Sequence, residues 1–109
     1  MKINFNNISA KEVNNFKGGE KSILLKVFSD DLNKIMINKL LPGASIGLHK
    51  HDDSSEIIFI LSGKGYFICD GVKESVEQGD CHYCPKGSEH TFINDSEEEL
   101  EFFAIVPQQ

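Results

Sequence analysis

Long apolar runs and clustered basic residues are both missing from this sequence. No stretch approaches the roughly 18 apolar residues that a membrane-spanning helix needs, so no membrane segment is expected. The first ten residues are rich in asparagine and lack the apolar core of a signal peptide, which predicts a cytoplasmic protein. Basic residues number 11 against 17 acidic ones, and the formal net charge of -6 argues against nucleic acid or an anionic membrane as a partner.

Cysteine is also scarce. The sequence has three cysteines, Cys69, Cys81 and Cys84. An odd number of cysteines suits a reducing compartment better than a disulfide framework. Cys81 and Cys84 have the C-x-x-C spacing of some redox and zinc sites, but no second such pair is present. On a regular strand an odd separation places two side chains on opposite faces. We therefore expect Cys81 and Cys84 neither to share a metal nor to bond to one another.

The 109 residues, of which 39% are hydrophobic, suit one domain spanning residues 1–109. Short apolar runs separated by turn residues are typical of an all-β sandwich or barrel. Strands are predicted over Ser22–Phe28, Ile35–Leu41, Ile57–Leu61, Tyr66–Cys69, Val72–Val76, Cys81–Cys84, His90–Ile93 and Leu100–Val106. A helical turn is considered only for Ala10–Asn15 or Asp30–Lys34.

The run from Glu56 to Leu61 is apolar on both of its faces. Glu56, Ile58 and Ile60 share one face by alternation, while Ile57 and Phe59 lie on the other. A barrel strand with water on its outer side needs a second cover when both faces are apolar. That cover is either the chain's own N-terminal strands or a second subunit, and we expect a homodimer.

Three histidines and one glutamate are the candidate metal ligands of this sequence. His49 and His51 are separated by one residue, so on a strand both imidazoles point to the same side. Glu56 follows five residues later, and His90 lies on a later predicted strand. Three imidazoles and a carboxylate form a ligand set for a divalent transition metal. Such a set leaves two positions of an octahedral metal for water, dioxygen or a bidentate oxyanion.

The turns around these four residues follow a known pattern. The first stretch has the spacing Gly-(5)-His-(1)-His-(4)-Glu-(6)-Gly, and the second has Gly-(5)-Pro-(1)-Gly-(2)-His-(3)-Asn. The positions are Gly43, His49, His51, Glu56 and Gly63, followed by Gly79, Pro85, Gly87, His90 and Asn94. Both stretches resemble the two cupin motifs with every signature position filled, at the short spacing of small single-domain bacterial cupins.

The resemblance implies a cupin-type double-stranded β-helix, or jelly-roll barrel, over about residues 30–106. The strands within residues 1–29 would then pack on the barrel or on a partner. By family position, His49, His51, Glu56 and His90 would be the metal ligands, and Asn94 would be structural. Iron, manganese, nickel and zinc all suit these ligands, so the metal's identity stays open.

Three further side chains are pocket candidates that would orient a substrate or move a proton: Tyr66, Tyr83 and His82. Tyrosines in such positions are more often core residues whose hydroxyl group reaches solvent. His82 lies beside the second motif and is either an exposed strand histidine, a partner behind a metal ligand or a general base in the pocket. The cavity wall is expected to include Met36, Asn38, Tyr66, Ile68, Phe92 and Phe102 or Phe103.

The preferred function is a metal-dependent enzyme that acts on a small oxygen-rich molecule such as a carboxylate, sugar or enediol. Lewis-acid chemistry would support isomerisation, decarboxylation or oxygenation. The alternative is a non-catalytic module that binds or senses a small molecule. A structural barrel with a vestigial site is disfavoured because the ligand set is complete.

Overall fold

A computed structural model describes all residues from 1 to 109, and it consists of β-strands and two 3-10 turns, Phe5–Asn7 and Phe16–Gly18. The strands are β1 (Lys11–Asn14), β2 (Ser22–Ser29), β3 (Asn33–Leu40), β4 (Ser45–Lys50), β5 (Glu56–Ser62), β6 (Lys64–Cys69), β7 (Val72–Glu77), β8 (Cys81–Cys84), β9 (Glu89–Ile93) and β10 (Leu100–Pro107). None of the helical segments is long or apolar enough to cross a membrane.

The strands form two antiparallel sheets that face each other. One sheet has the order β1-β2-β3-β10-β5-β8, and the other has the order β4-β9-β6-β7. Strands that are far apart in the chain are neighbours in both sheets, since β3 pairs with β10 and β4 pairs with β9. The predicted all-β jelly-roll architecture is therefore confirmed.

Each of the eight predicted strands is present, with ends that differ by no more than two residues. The helical turn considered for Ala10–Asn15 is wrong, because Lys11–Asn14 forms β1 and pairs with β2. The helical turn considered for Asp30–Lys34 is also wrong. The Asp30 side chain accepts hydrogen bonds from the backbone N–H of Leu32 and Asn33, which makes a tight turn between β2 and β3.

The core lies between the two sheets and follows the expected alternation. Glu56, Ile58 and Ile60 of β5 point inward and are buried, whereas Ile57 and Phe59 point outward. The largest buried apolar side chains are Phe67, Phe92, Phe102, Ile23, Leu40, Ile58, Ile60 and Leu100. Burying one such side chain contributes roughly 1.5–3 kcal/mol to folding.

Asn94 joins neighbouring segments of the barrel, in keeping with the structural position that the resemblance implied. Its buried side-chain amide donates to the carbonyls of Leu40, Leu41 and Glu98. The nearby turn needs Gly63, which has a φ of +86°, and an added Cβ would lie 2.6 Å from the carbonyl oxygen of Glu99. These contacts fix the ends of β3, β5 and β10 relative to one another.

The N-terminal strands extend the larger sheet sideways rather than covering β5. β2 pairs with β3, and β1 pairs with β2 at the edge. The outward side chains of Ile57 and Phe59 consequently remain 38% and 41% exposed. The chain's own N-terminal strands, which were one of the two covers considered for β5, thus do not cover it.

Candidate metal centre

The four predicted ligands come from three strands and one loop. His49 on β4 is directly opposite His90 on β9, after a bulge between Ile46 and His49 shifts the register of the two strands. His51 lies just beyond the end of β4, where its backbone N–H donates to the carbonyl of Ser88. Glu56 is the first residue of β5. The bulge and the strand ends together direct all four side chains to one point between the sheets.

The ligand atoms of these residues lie within 4.8 Å of one another. The Nε2 atom of His90 is 3.1 Å from Nε2 of His51, 3.2 Å from Nε2 of His49 and 3.0 Å from Oε1 of Glu56. Oε1 of Glu56 is also 3.2 Å from Nε2 of His51 and 4.0 Å from Nε2 of His49. The same nitrogen, Nε2, therefore faces the centre in all three imidazoles.

The second ring nitrogen, Nδ1, of both His49 and His51 contacts an oxygen atom of the protein. Nδ1 of His49 donates to the carbonyl of Gly47 at 2.7 Å, and Nδ1 of His51 lies 3.2 Å from the hydroxyl of Ser54. A carbonyl oxygen only accepts, so His49 carries its proton on Nδ1 and leaves a lone pair on Nε2. This is the tautomer that a metal requires of an Nε2 ligand.

The charge state of the cluster also suits a cation. Burial alone would raise the pKa of Glu56, but the hydrogen bonds that the surrounding imidazoles can donate to it when no cation is bound outweigh burial and hold that pKa well below its usual range. Glu56 is thus a carboxylate. Burial lowers the pKa of His90, although the Glu56 carboxylate opposes that shift, so the His90 ring stays neutral at neutral pH. Neutral imidazoles and an ionised carboxylate are the protonation states that bind metal.

The spacing fits a single ion. Two ligand atoms that each lie about 2.1 Å from one ion, at right angles, are about 3.0 Å apart. The contacts of 3.0–3.2 Å around Nε2 of His90 match that value. Lone pairs and a carboxylate oxygen that converge at such distances repel one another unless a cation or a proton lies between them. His49, His51, Glu56 and His90 together could hold a divalent transition metal.

A cavity of about 390 Å³ opens from the cluster to the surface. Its volume is near the lower end of the range for small-molecule sites. The apolar part of its wall consists of Phe16, Met36, Ile46, Ile58, Phe92, Phe102 and Val106, and the polar part includes Lys17, Lys34, Asn38, Lys50, Asp53, Ser54 and Gln108. Met36, Asn38 and Phe92 were expected in this wall, as was one of Phe102 and Phe103, which is Phe102. Tyr66 and Ile68 were also expected but are not part of it.

The structure does not bring Tyr66 or Tyr83 to the cavity. Tyr83 is 57% exposed because its neighbours on β8, His82 and Cys84, occupy the inward positions. Tyr66 alternates with the buried Phe67 on β6, and the ammonium group of Lys73 lies 4.3 Å from the centre of its ring. Neither hydroxyl is therefore placed to contact a molecule at the cluster.

His82 is not an exposed strand histidine, since only 1% of it is exposed. Its Nε2 lies 3.0 Å from Nδ1 of His90, and its Nδ1 lies 2.7 Å from a carboxylate oxygen of Glu74. His82 is thus behind a ligand, which is one of the roles considered from the sequence, and it does not line the cavity. The ring stacks on Phe67 at a centroid distance of 3.6 Å.

The cysteines follow the expected alternation. Cys81 is exposed and Cys84 is buried, so the two point to opposite faces of β8. Cys84 is opposite Glu56 in the β5–β8 ladder. Burial raises the pKa of the Cys84 thiol to about 12, with further contributions from Cys69 and the Glu56 charge. Cys84 therefore remains a neutral thiol beside the cluster.

Lys17 could not have been assigned to the cavity wall from the sequence. Lys17 lies in the second 3-10 turn with a left-handed φ of 56°. This turn lies against β4 so closely that a side chain at Gly47 would overlap the carbonyl of Lys17. Gly18, Gly19 and Gly47 hint at such a close approach, but only the three-dimensional structure shows that it brings Lys17 to the cavity.

Comparison with known proteins agrees with this geometry. Residues 36–106 match the family model described as the cupin domain. The chain belongs to the cupin family. This cupin is 31% identical over 112 residues to a protein of Thermotoga maritima named oxalate-binding protein, across 97% of this chain and 93% of the relative.

Solved structures show the same fold. The crystal structure of a predicted oxalate decarboxylase from Thermotoga maritima superposes with a TM-score of 0.93 at 28% identity, over 100% of both chains. KdgF from a Halomonas species has a TM-score of 0.77 at 18% identity, over 98% of this cupin and 92% of KdgF. At that lower identity the likeness concerns the fold alone.

Proposed function

We propose that this cupin binds a divalent transition metal and that a small carboxylate such as oxalate binds directly to that metal. The ligands from the protein would be His49, His51, Glu56 and His90. The observation that carries the proposal is the complete ligand cluster at the base of a cavity of about 390 Å³. Four protein ligands leave two positions of an octahedral ion free for a bidentate oxyanion. Iron, manganese, nickel and zinc are all compatible with the ligands.

The charge of the cavity wall supports an anionic ligand. The chain as a whole has a formal net charge of -6, but the wall carries Lys17, Lys34 and Lys50 against Asp53 as the only acid other than the ligand Glu56. A bound divalent ion adds two further positive charges. A dianion such as oxalate offsets most of this local excess, whereas a neutral sugar does not.

The relatives support the same class of ligand. One relative with near full-length coverage is named an oxalate-binding protein, and a structure that superposes over the entire chain is described as a predicted oxalate decarboxylase. These descriptions are consistent with a small dicarboxylate in a cavity of this size and charge.

Calorimetric titration of the metal-loaded protein with oxalate tests the proposal. We expect saturable binding that disappears in the metal-free protein and in His49→Ala. Acetate is the matched control, since it offers only one carboxylate, and it should bind more weakly. Equal heats with and without metal would contradict the proposal.

Lys17→Gln should lower oxalate affinity by about 2- to 5-fold, the range expected of a partly exposed charge pair. Metal affinity should not change, because Lys17 is not among the cluster of possible ligands. Lys86→Gln is the control, since Lys86 is exposed on the turn before β9 and does not line the cavity. An equal loss in both variants would remove Lys17 from the site.

Lewis-acid catalysis on the bound carboxylate is the second candidate function. Asp53 and Lys17 favour it, because they supply ionisable groups in the cavity wall beside the cluster. Decarboxylation of oxalate would break its C–C bond, release carbon dioxide and yield formate after the remaining carbon takes up one proton. Both products should appear when the metal-loaded protein is incubated with oxalate, and their absence with each reloaded metal leaves the binding function alone.

We propose further that a second copy of the chain covers the outer face of the larger sheet. Ile57 of β5 is opposite Ile105 of β10 and Tyr83 of β8, and Phe59 is opposite Phe103. This outer apolar patch, Ile57, Phe59, Tyr83, Phe103 and Ile105, crosses three neighbouring strands without a charged side chain. An apolar, uncharged face is self-complementary under two-fold symmetry, as a closed dimer requires.

Sedimentation measurements test the dimer. The wild-type protein should sediment as a dimer and Phe59→Glu as a monomer, since the substitution places a charge at the centre of the patch. Val72→Glu is the control, because Val72 is 67% exposed on β7 of the other sheet. A monomeric wild-type protein, or a dimeric Phe59→Glu, would show that a second copy does not cover this face.

A further inference from the structure

His82 and Glu74 form a buried connection from the cluster to the surface of the barrel, and neither residue is a ligand. Nδ1 of His90 lies 3.0 Å from Nε2 of His82, and Nδ1 of His82 lies 2.7 Å from Oε1 of Glu74. His82 is 1% exposed, whereas the Glu74 side chain is 49% exposed. We call these two residues the Glu74–His82 pair.

With a neutral His82 ring, the hydrogen bonds that link Glu74, His82 and His90 run in one direction. A carboxylate accepts and does not donate, so the proton of His82 lies on Nδ1, towards Glu74. Nε2 of His82 then has a lone pair and accepts the proton of Nδ1 of His90. His90 is left with a lone pair on Nε2, the atom that lies 3.0–3.2 Å from the other three ligand atoms.

A competing arrangement exists for His90. Oε1 of Glu56 lies 3.0 Å from Nε2 of His90 and would accept a proton from that nitrogen. In that tautomer Nε2 has no lone pair, so His90 cannot bind a metal through it. His49 avoids the same competition because the carbonyl of Gly47 holds its proton on Nδ1, and its Nε2 is 4.0 Å from Glu56.

The surroundings hold the His82 ring in the required orientation. Phe67 stacks on His82 with an interplanar angle of 11°, and the other face of Phe67 is against Phe92 at a centroid distance of 3.8 Å. His82 is on β8 of the larger sheet, whereas Glu74 and His90 are on β7 and β9 of the smaller one. The pair thus links the two sheets behind the cluster.

We infer that the Glu74–His82 pair acts as a positioning device that keeps the proton of His90 on Nδ1 and so presents the Nε2 lone pair to the metal. This inference rests on the proposed metal site. His82 and Glu74 touch neither the metal nor a substrate, and they act through His90. Partners of this kind typically change metal affinity by about 10- to 100-fold.

Two variants and two measurements test the inference. His82→Phe removes both nitrogens and keeps an aromatic ring for Phe67 to stack on. Glu74→Gln removes the charge at a position that is 49% exposed, where we expect the fold to be retained. Glu77→Gln is the matched control, because Glu77 is on the same strand, is exposed and makes no side-chain hydrogen bond.

Metal affinity, measured by competition with a chromophoric chelator, should fall about 10- to 100-fold in His82→Phe and less in Glu74→Gln, whose amide oxygen still accepts. It should not change in Glu77→Gln. Nitrogen-15 NMR of the metal-free proteins should show His90 protonated on Nδ1 in the wild type. The proton should move towards Nε2, and hence towards Glu56, in His82→Phe.

The two measurements separate the possible failures. A loss of affinity without a change of tautomer assigns the effect to packing and overturns the inference, as does an unchanged affinity in both variants. If His82→Phe does not fold, Glu74→Gln decides by the same two readouts. If the wild-type protein binds no metal, the proposed function fails, while the tautomer of His90 in the metal-free proteins still tests the pair.

Discussion

His49 and His90 face one another across the β4–β9 ladder, and their Nε2 atoms lie 3.2 Å apart. The two residues are 41 positions apart in the chain and belong to different motifs. Their meeting depends on the bulge that precedes His49, because without it the alternation along β4 would not match that of β9. The candidate metal centre is thus a product of strand register.

Metal affinity should rise with pH between about 5 and 8. A protonated imidazole cannot bind metal, so protons compete with the ion as the pH falls through about 6.5. Burial lowers the pKa of His90, which keeps this ring available at lower pH than an ordinary histidine. The pKa of Glu56 is held well below its usual range, so Glu56 contributes no change in this window. Chelator competition at several pH values measures the slope, and a flat profile would speak against a three-histidine site.

Glu56→Gln should weaken metal binding while the fold is retained. The substitution keeps the size of the side chain but removes the only anionic ligand of the cluster. Affinity should therefore fall, whereas the thermal transition should persist. Glu89→Gln, at an exposed position beside His90, is the control. Unchanged affinity in Glu56→Gln would remove Glu56 from the ligand set.

Gly47→Ala should lower both stability and oxalate affinity. The added methyl group overlaps the carbonyl of Lys17, so the second 3-10 turn must move away from β4. Overpacking of this kind costs about 1–3 kcal/mol in the free energy of unfolding. The displaced turn carries Lys17 away from the cavity wall.

Gly71→Ala is the control for that experiment. Gly71 has a φ of +82° and open space around it, so the substitution costs only backbone strain of about 1–2 kcal/mol. It lies in the β6–β7 turn, outside the cavity. Oxalate affinity should not change in Gly71→Ala. An equal loss of affinity in both variants would show that stability alone, and not the position of Lys17, governs binding.

Most of the sheet could be predicted because β-branched and aromatic runs are bounded by turn residues. The run from Leu100 to Val106 is an example, since the observed strand is Leu100–Pro107. Lys11–Asn14 could not be predicted in this way, because it has one apolar residue in four. Its extended state comes from pairing with β2. Pairing between distant segments leaves no periodic signal in the segment itself.

The metal ligands could be predicted because the spacing of residues along the sequence is enough to identify them. His49, His51, Glu56 and His90 could be identified together because the intervals between them and the flanking glycines form a recognisable pattern. Alternation predicts that His82 and Cys84 share a face, but it does not say which face is inward. The β5–β8 register decides this, since His82 is opposite the buried Ile58. Tyr83 is turned outward for the same reason.

Elemental analysis of protein purified without added metal or chelator tests the central claim most directly, with wild type and His49→Ala measured side by side. The account predicts a near-stoichiometric transition metal in the wild type and a marked loss in His49→Ala, with both proteins folded by circular dichroism. If neither protein contains metal, even after reloading with iron, manganese, nickel or zinc, the cluster is not a metal centre and the account is contradicted.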